Sequence, residues 1–184
     1  MTTRGSRVLV ALRVPASPDR AFAVFTGEIA QWWRPSPLFQ FTEARNGRMA
    51  FEPGPDGRLT ETYDDGTVFE IGRIRTWEPP HRVAFSWRHA SFSPEKETEV
   101  LVRFESAGDE TRITVEHFGW DAIPREHAAR HGFPLDAFQL RLAEWWQTLP
   151  AGPDLASESA ARTCAVEAAL SYARRFFEIA RSAA

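Results

Sequence analysis

A single cysteine, Cys164, leaves this chain no internal disulfide and suits a reducing compartment. No apolar run approaches the roughly 18 residues that a membrane span requires. Arg4, Arg7 and Arg13 punctuate the N-terminus where a secretory leader would need an unbroken apolar stretch. Basic excess is also lacking: the net charge is −3, and acidic residues lie between the many arginines. That removes the usual electrostatic basis for gripping nucleic acid. There is no Gly-rich phosphate loop, no serine nucleophile elbow and no kinase-like set, so nucleotide hydrolysis is not expected. The absences describe a soluble, cytoplasmic protein with no membrane span and no nucleic-acid partner.

What is present is a chain of 184 residues with 43% hydrophobic content, enough for one sizeable core. Arg7 to Val14 alternates, with Val8, Val10, Leu12 and Val14 on one side, and reads as a first strand. Ser17-Pro18-Asp19 then opens a helix, with Ser17 as N-cap and Pro18 in its first turn. Gly27 breaks it, and a second short helix from about Glu28 presents Ile29, Trp32 and Trp33.

Strands follow in close order. Phe39 to Ala44 and Arg48 to Glu52 flank Asn46-Gly47, a hairpin signal because both residues tolerate positive φ. Leu59 to Tyr63 and Thr67 to Trp77 flank Asp64-Asp65-Gly66. Arg82 to Trp87 comes after the corner Glu78-Pro79-Pro80-His81, where two prolines cannot continue a central strand. Glu97 to Glu105 and Thr111 to Phe118 complete a meander. After Trp120 the period changes to about 3.6. Pro124 to His131 reads as a short helix ended by Gly132, and Pro134 opens a longer one with Leu135, Phe138, Leu142, Trp145 and Leu149 on one stripe. Pro150 to Pro153 reads as a linker before an Ala-rich helix over 157–181 that contains Cys164 as a small buried hydrophobe.

This order predicts an α+β fold: a curved antiparallel sheet of six or seven strands around a long helix, with a concave space between them. Two stretches carry a resemblance. Pro18 to Phe25 is followed by Ile29 and Trp32-Trp33, and Gly72-Arg73-Ile74 leads through Trp77-Glu78-Pro79-Pro80 to Phe85-Ser86-Trp87. Asn46-Gly47-Arg48, the pair Val100 to Phe104 and Thr111 to His117, and Gly119-Trp120 add to it. The chain resembles the START-like (birch-pollen-allergen-like, SRPBCC) superfamily, and within it the Aha-like group named after the C-terminal domain of the activator of the heat-shock protein 90 ATPase. The resemblance covers about Arg7 to Leu149 and implies a helix-grip fold with a cavity between sheet and long helix. It implies no single activity, because the superfamily includes lipid carriers, cyclases and aromatases, hormone receptors and co-chaperone domains. Residues 1–150 are thus expected to form the START-like domain, and 151–184 a linker and extra helix packed on it or in a dimer contact.

Seven tryptophans and fourteen phenylalanines suggest an aromatic-walled cavity, since a fold of this type leaves its interior incompletely filled. Trp33, Trp87, Phe138 and Trp145 are the expected wall. Its expected polar points are His117, which shares strand parity with Ile113 and Val115, and the carboxylates Glu61 and Glu70 beside the Asp65-Gly66 turn. His127 and His131, four apart, would share a helix face as a zinc pair does, but no third ligand is evident and no metal or cofactor is expected. Three readings of function follow. The first is a module binding a small hydrophobic or aromatic molecule, with a homodimer as a further partner expectation. The second is a cyclase-, aromatase- or hydratase-type enzyme moving protons through cavity residues. The third is a chaperone-activator-like interaction domain with a filled interior. Binding rather than catalysis is the leading expectation, and no catalytic residue is assigned.

Overall fold

The computed structural model describes residues 7–34, 36, 39–42 and 45–148. Seven antiparallel strands form one sheet in the order β1-β7-β6-β5-β4-β3-β2. They are β1 (Arg7–Val14), β2 (Arg48–Phe51), β3 (Arg58–Thr62), β4 (Val68–Glu78), β5 (Arg82–Trp87), β6 (Thr98–Ala107) and β7 (Glu110–Phe118). Strands β2 to β7 form the expected meander, and β1 closes it by pairing with β7, Val8 opposite His117 and Val14 opposite Thr111. Two helices follow β1, α1 (Pro18–Gly27) and α2 (Ile29–Trp32), and α3 (Leu135–Thr148) lies over the concave face alongside β1. This is the helix-grip α+β fold. None of the helices described is long and apolar enough to cross a membrane. The linker, the 157–181 helix and Cys164 fall outside the described residues.

Alternation decides which face is buried. Val83, Phe85 and Trp87 of β5, Val100, Val102 and Phe104 of β6, and Ile113, Val115 and His117 of β7 all turn inward and are buried. Helix α1 starts as the sequence implies: the Ser17 hydroxyl accepts from the Arg20 amide at 3.3 Å, with Pro18 in the first turn. Phe22 and Phe25 of α1 then pack edge-on against Phe104 at 5.3 and 5.6 Å. Outside the sheet, Glu116 is buried between Arg7 and Arg103, its carboxylate shared by both guanidinium groups.

The bend of the sheet has a local cause at Gly72. A Cβ built there would lie 1.7 Å from the Ser86 carbonyl oxygen, so β4 and β5 approach closely only because residue 72 has no side chain. Irregular registers bracket this point, at Leu59/Thr60 on one side and Ile74/Thr76 on the other.

Three expectations need correction. Residues 39–42 form no strand; the segment makes one isolated bridge, Thr42 with Arg45. Asn46-Gly47 is therefore not a hairpin turn, and the Gly47 amide donates instead to the Glu61 carboxylate at 2.7 Å. Residues 124–131 are not a helix either. Only Ala128–Arg130 makes a 3-10 turn, and His131 stands in the left-handed region at φ 51. A run so short gains too few hydrogen bonds to offset helix nucleation.

Candidate functional site

Between β5, α3 and the turns after β7, the described residues form an aromatic cleft. It is lined by Trp87, Trp120, Ala129, Leu142 and Trp145 together with Phe39, Gln40, Phe41 and His89. Counted out to open solvent the cleft measures about 330 Å³, but the space open to the centre of a water-sized sphere is only about 20 Å³. That is room for little more than one water molecule. The expectation of an incompletely filled interior holds only in this reduced form. Rings occupy most of the hollow, with Trp87 coming from β5, Trp120 from the turn after β7 and Trp145 from α3.

The packing is specific. Trp33, set just beyond α2, stacks on Phe41 with centroids 5.6 Å apart and meets Trp145 edge-on at 4.8 Å. Trp87 lies 4.7 Å from Phe41 and 6.2 Å from Trp145. Trp120, from the 3-10 turn Trp120–Ala122 after β7, sits 4.5 Å from Phe138. The structure thus brings four of the expected aromatic residues together. Trp87 and Trp145 line the cleft, whereas Trp33 and Phe138 are buried one ring behind it. The Trp145 indole donates to the Arg34 carbonyl at 3.3 Å, fixing that wall to the chain after α2.

The polar residues have other places. His117 is fully buried, and both of its ring nitrogens are engaged. The Thr98 hydroxyl donates to the Trp87 carbonyl at 3.0 Å, so it accepts from Nε2–H of His117 at 2.9 Å. Nδ1 is then the acceptor for the Trp146 indole N–H at 3.4 Å. This chain of donors runs one way and defines a neutral imidazole. Burial pushes the pKa of His117 down to about 3, because nothing nearby compensates a charged ring.

Glu61 is also buried, and it serves the loop beside the cleft. One carboxylate oxygen accepts from the Gly47 amide, the other from the Tyr63 hydroxyl at 2.9 Å, and that hydroxyl also lies 2.6 Å from the Thr42 hydroxyl. Burial is the main cause that raises the Tyr63 pKa. A Cβ at Gly47 would sit 2.6 Å from the Thr62 carbonyl oxygen, so only glycine lets this loop reach Glu61. Glu70 is outside altogether. It is partly exposed and pairs with Arg73 at 3.0 Å and Arg58 at 3.8 Å, across a solvated face. His117, Glu61 and Glu70 share no partner, so they do not form one polar cluster.

His127 and His131 do not share a helix face, because no α-helix forms over 124–131. His127 caps the 3-10 turn, its Nδ1 accepting from the Ala129 amide at 3.2 Å, while its Nε2 lies 3.2 Å from the Ser91 carbonyl. No group of three metal-ligating side chains occurs among the described residues.

Sequence reasoning missed Phe39, Gln40, Phe41, His89, Trp120, Ala129 and Leu142 as cleft residues. Leu142 was legible as part of the α3 stripe, and Trp120 as an aromatic after the last strand. Phe39, Gln40 and Phe41 were misread as strand, and nothing in the sequence says that their segment folds over the sheet's mouth.

The family model described as activator of Hsp90 ATPase homolog 1-like protein matches residues 15–151. Among solved structures, a protein from Mesorhizobium loti is 16% identical, covers 79% of this chain and 94% of its own, and superposes with a TM-score of 0.53. An HSP90 activator from Plasmodium falciparum is 15% identical over 79% of this chain and 91% of its own, also at 0.53. At those identities the likeness is one of fold. A structure titled an anthrahydroquino-γ-pyrone synthase is 33% identical over 78% of this chain and 90% of its own, with a TM-score of 0.46. No curated protein matches the chain. With the family match spanning most of the helix-grip domain, the chain belongs to the activator of Hsp90 ATPase homolog 1-like family.

Proposed function

We propose that this protein is a cytoplasmic module that binds a small, flat aromatic or hydrophobic molecule in the cleft between its sheet and α3. The observation that carries the reading is a cleft lined by the indoles of Trp87, Trp120 and Trp145. Indole faces suit flat ligands through offset and edge contacts. The hollow is too narrow for such a ligand as it stands, so rings at the mouth must turn on binding. Phe39 is the side chain placed to do so. It is only partly buried, lies outside regular structure, and packs on Trp145 at 4.8 Å. The backbone beside it is held by the Ala90 amide, which donates to the Phe41 carbonyl at 2.8 Å.

Binding is favoured over acid–base catalysis because His117 has both nitrogens engaged and neither Glu61 nor Glu70 lines the cleft. A cyclase or hydratase would need polar groups converging on the reacting atoms, and the cleft's polar lining, Gln40 and His89, includes no carboxylate. The interaction-domain reading has one observation in its favour, the narrowness of the hollow, and it predicts that no small molecule stabilises the fold.

Thermal shift against aromatic ketones and fatty acids separates the two. A ligand present at about 100-fold over its Kd adds roughly 3 kcal/mol to stability, or a Tm rise of roughly 5–10 °C for a domain of this size. Ala129→Val, which adds bulk at the cleft wall, should remove that rise while the unliganded protein still melts cooperatively. Absence of a stabilising compound in either class would favour the interaction domain.

A further inference from the structure

Trp120 and Arg130 are both more than nine-tenths buried, and each keeps a side-chain N–H with no acceptor among the described residues: Nε1 of Trp120 and Nε of Arg130. Buried donors are almost always paired, so two orphans side by side call for an explanation. They are neighbours. Arg130 NH1 donates to the Trp120 carbonyl at 3.2 Å and to the Ile123 carbonyl at 2.8 Å, and NH2 donates to the Phe133 carbonyl at 2.9 Å. The guanidinium also lies over the Phe138 ring at 5.2 Å, the same ring that Trp120 packs against. No carboxylate forms a direct ion pair with Arg130 among the described residues; carbonyl dipoles and a ring face hold its head group, and Glu126 acts on its charge without touching it. Trp120 lines the cleft directly, and Ala129 brings the neighbouring backbone to its wall.

We infer that the Trp120 side of the cleft is its polar recognition point, and that the ligand is a flat aromatic molecule with a carbonyl oxygen at one edge. The oxygen would accept from the Trp120 indole N–H, while the buried guanidinium of Arg130, which has no direct carboxylate partner, favours an electron-rich group at that end. The rest of the ligand would lie between Trp87 and Trp145. A wholly apolar ligand of the same shape leaves the indole N–H unpaired in a dry site, and that penalty is what gives the cleft selectivity. This inference rests on the cleft being a ligand site.

The test compares two molecules of nearly equal shape, 2-acetylnaphthalene and 2-isopropenylnaphthalene, by titration of the wild-type protein and Trp120→Phe. The ketone should bind the wild type roughly five- to ten-fold more tightly, as one hydrogen bond in a desolvated site implies. Trp120→Phe keeps an aromatic ring and removes the donor, so it should bind both equally. An equal affinity in the wild type, or a preference that survives in Trp120→Phe, overturns the inference and leaves the cleft reading standing. If neither compound binds the wild type, this inference is overturned, and the cleft reading is decided by the thermal-shift screen. A second readout does not depend on the variant folding: the Trp120 indole N–H resonance, assigned through its contacts with Phe138, should shift on adding the ketone and stay in place with the hydrocarbon.

Discussion

At the scale of single residues, His117 is the clearest case of a side chain whose role is set by its partners. Its parity on β7 was legible, and so was its burial. The Trp146 indole and the Thr98 hydroxyl were not, because they come from α3 and β6 and meet it only in the folded sheet. The consequence is a pH dependence of known sign. In the unfolded chain this histidine takes up a proton near its ordinary pKa of about 6.5, whereas in the folded protein it does so only near 3. Between those values the unfolded state holds more protons, so stability falls as pH drops below about 6.5 and levels off near 3. Denaturant unfolding at pH 7 and pH 5 should show His117 contributing a loss of about 2 kcal/mol. His117→Gln should be less stable at pH 7 and lack that part of the slope; an unchanged slope would place the imidazole in solvent. Glu61 teaches the same lesson. Its inward position was expected, but the groups it serves, the Gly47 amide and the Tyr63 hydroxyl, make it an anchor for the loop rather than a ligand contact.

Among elements, legibility followed periodicity. β1 and β5 were readable to the residue, since their strand-forming residues are bounded by proline at one end, Pro15 after β1 and Pro79-Pro80 before β5. The segment 39–47 was not, because its apolar residues alternate like a strand while its hydrogen bonds go to Glu61, Tyr63 and Ala90 instead of a ladder. Those acceptors and donors lie far along the chain. Gly72 marks a place where an element's shape depends on an absent side chain. Gly72→Ala should cost about 3 kcal/mol or more, because its Cβ meets backbone at Ser86 and the strands must separate. Urea unfolding would measure it. A change under about 1 kcal/mol would mean that β4 and β5 do not need this approach.

For the molecule as a whole, the family fold was legible from Trp77 to Trp87 and the order of elements, and the size of the hollow was not. Volume depends on how Trp33, Trp87, Trp120, Trp145 and Trp146 interleave, and a list of aromatic residues does not give their angles. The central claim is that the cleft admits a flat ligand by displacing rings at its mouth. It is tested most directly by following the indole N–H resonances of all seven tryptophans while 2-acetylnaphthalene is added. Trp87, Trp120 and Trp145 should shift together and saturate with one affinity, while Trp77, packed on Phe22 at 5.3 Å, should stay in place. Saturable shifts confined to Trp77, or no saturable shift at any indole, would contradict it.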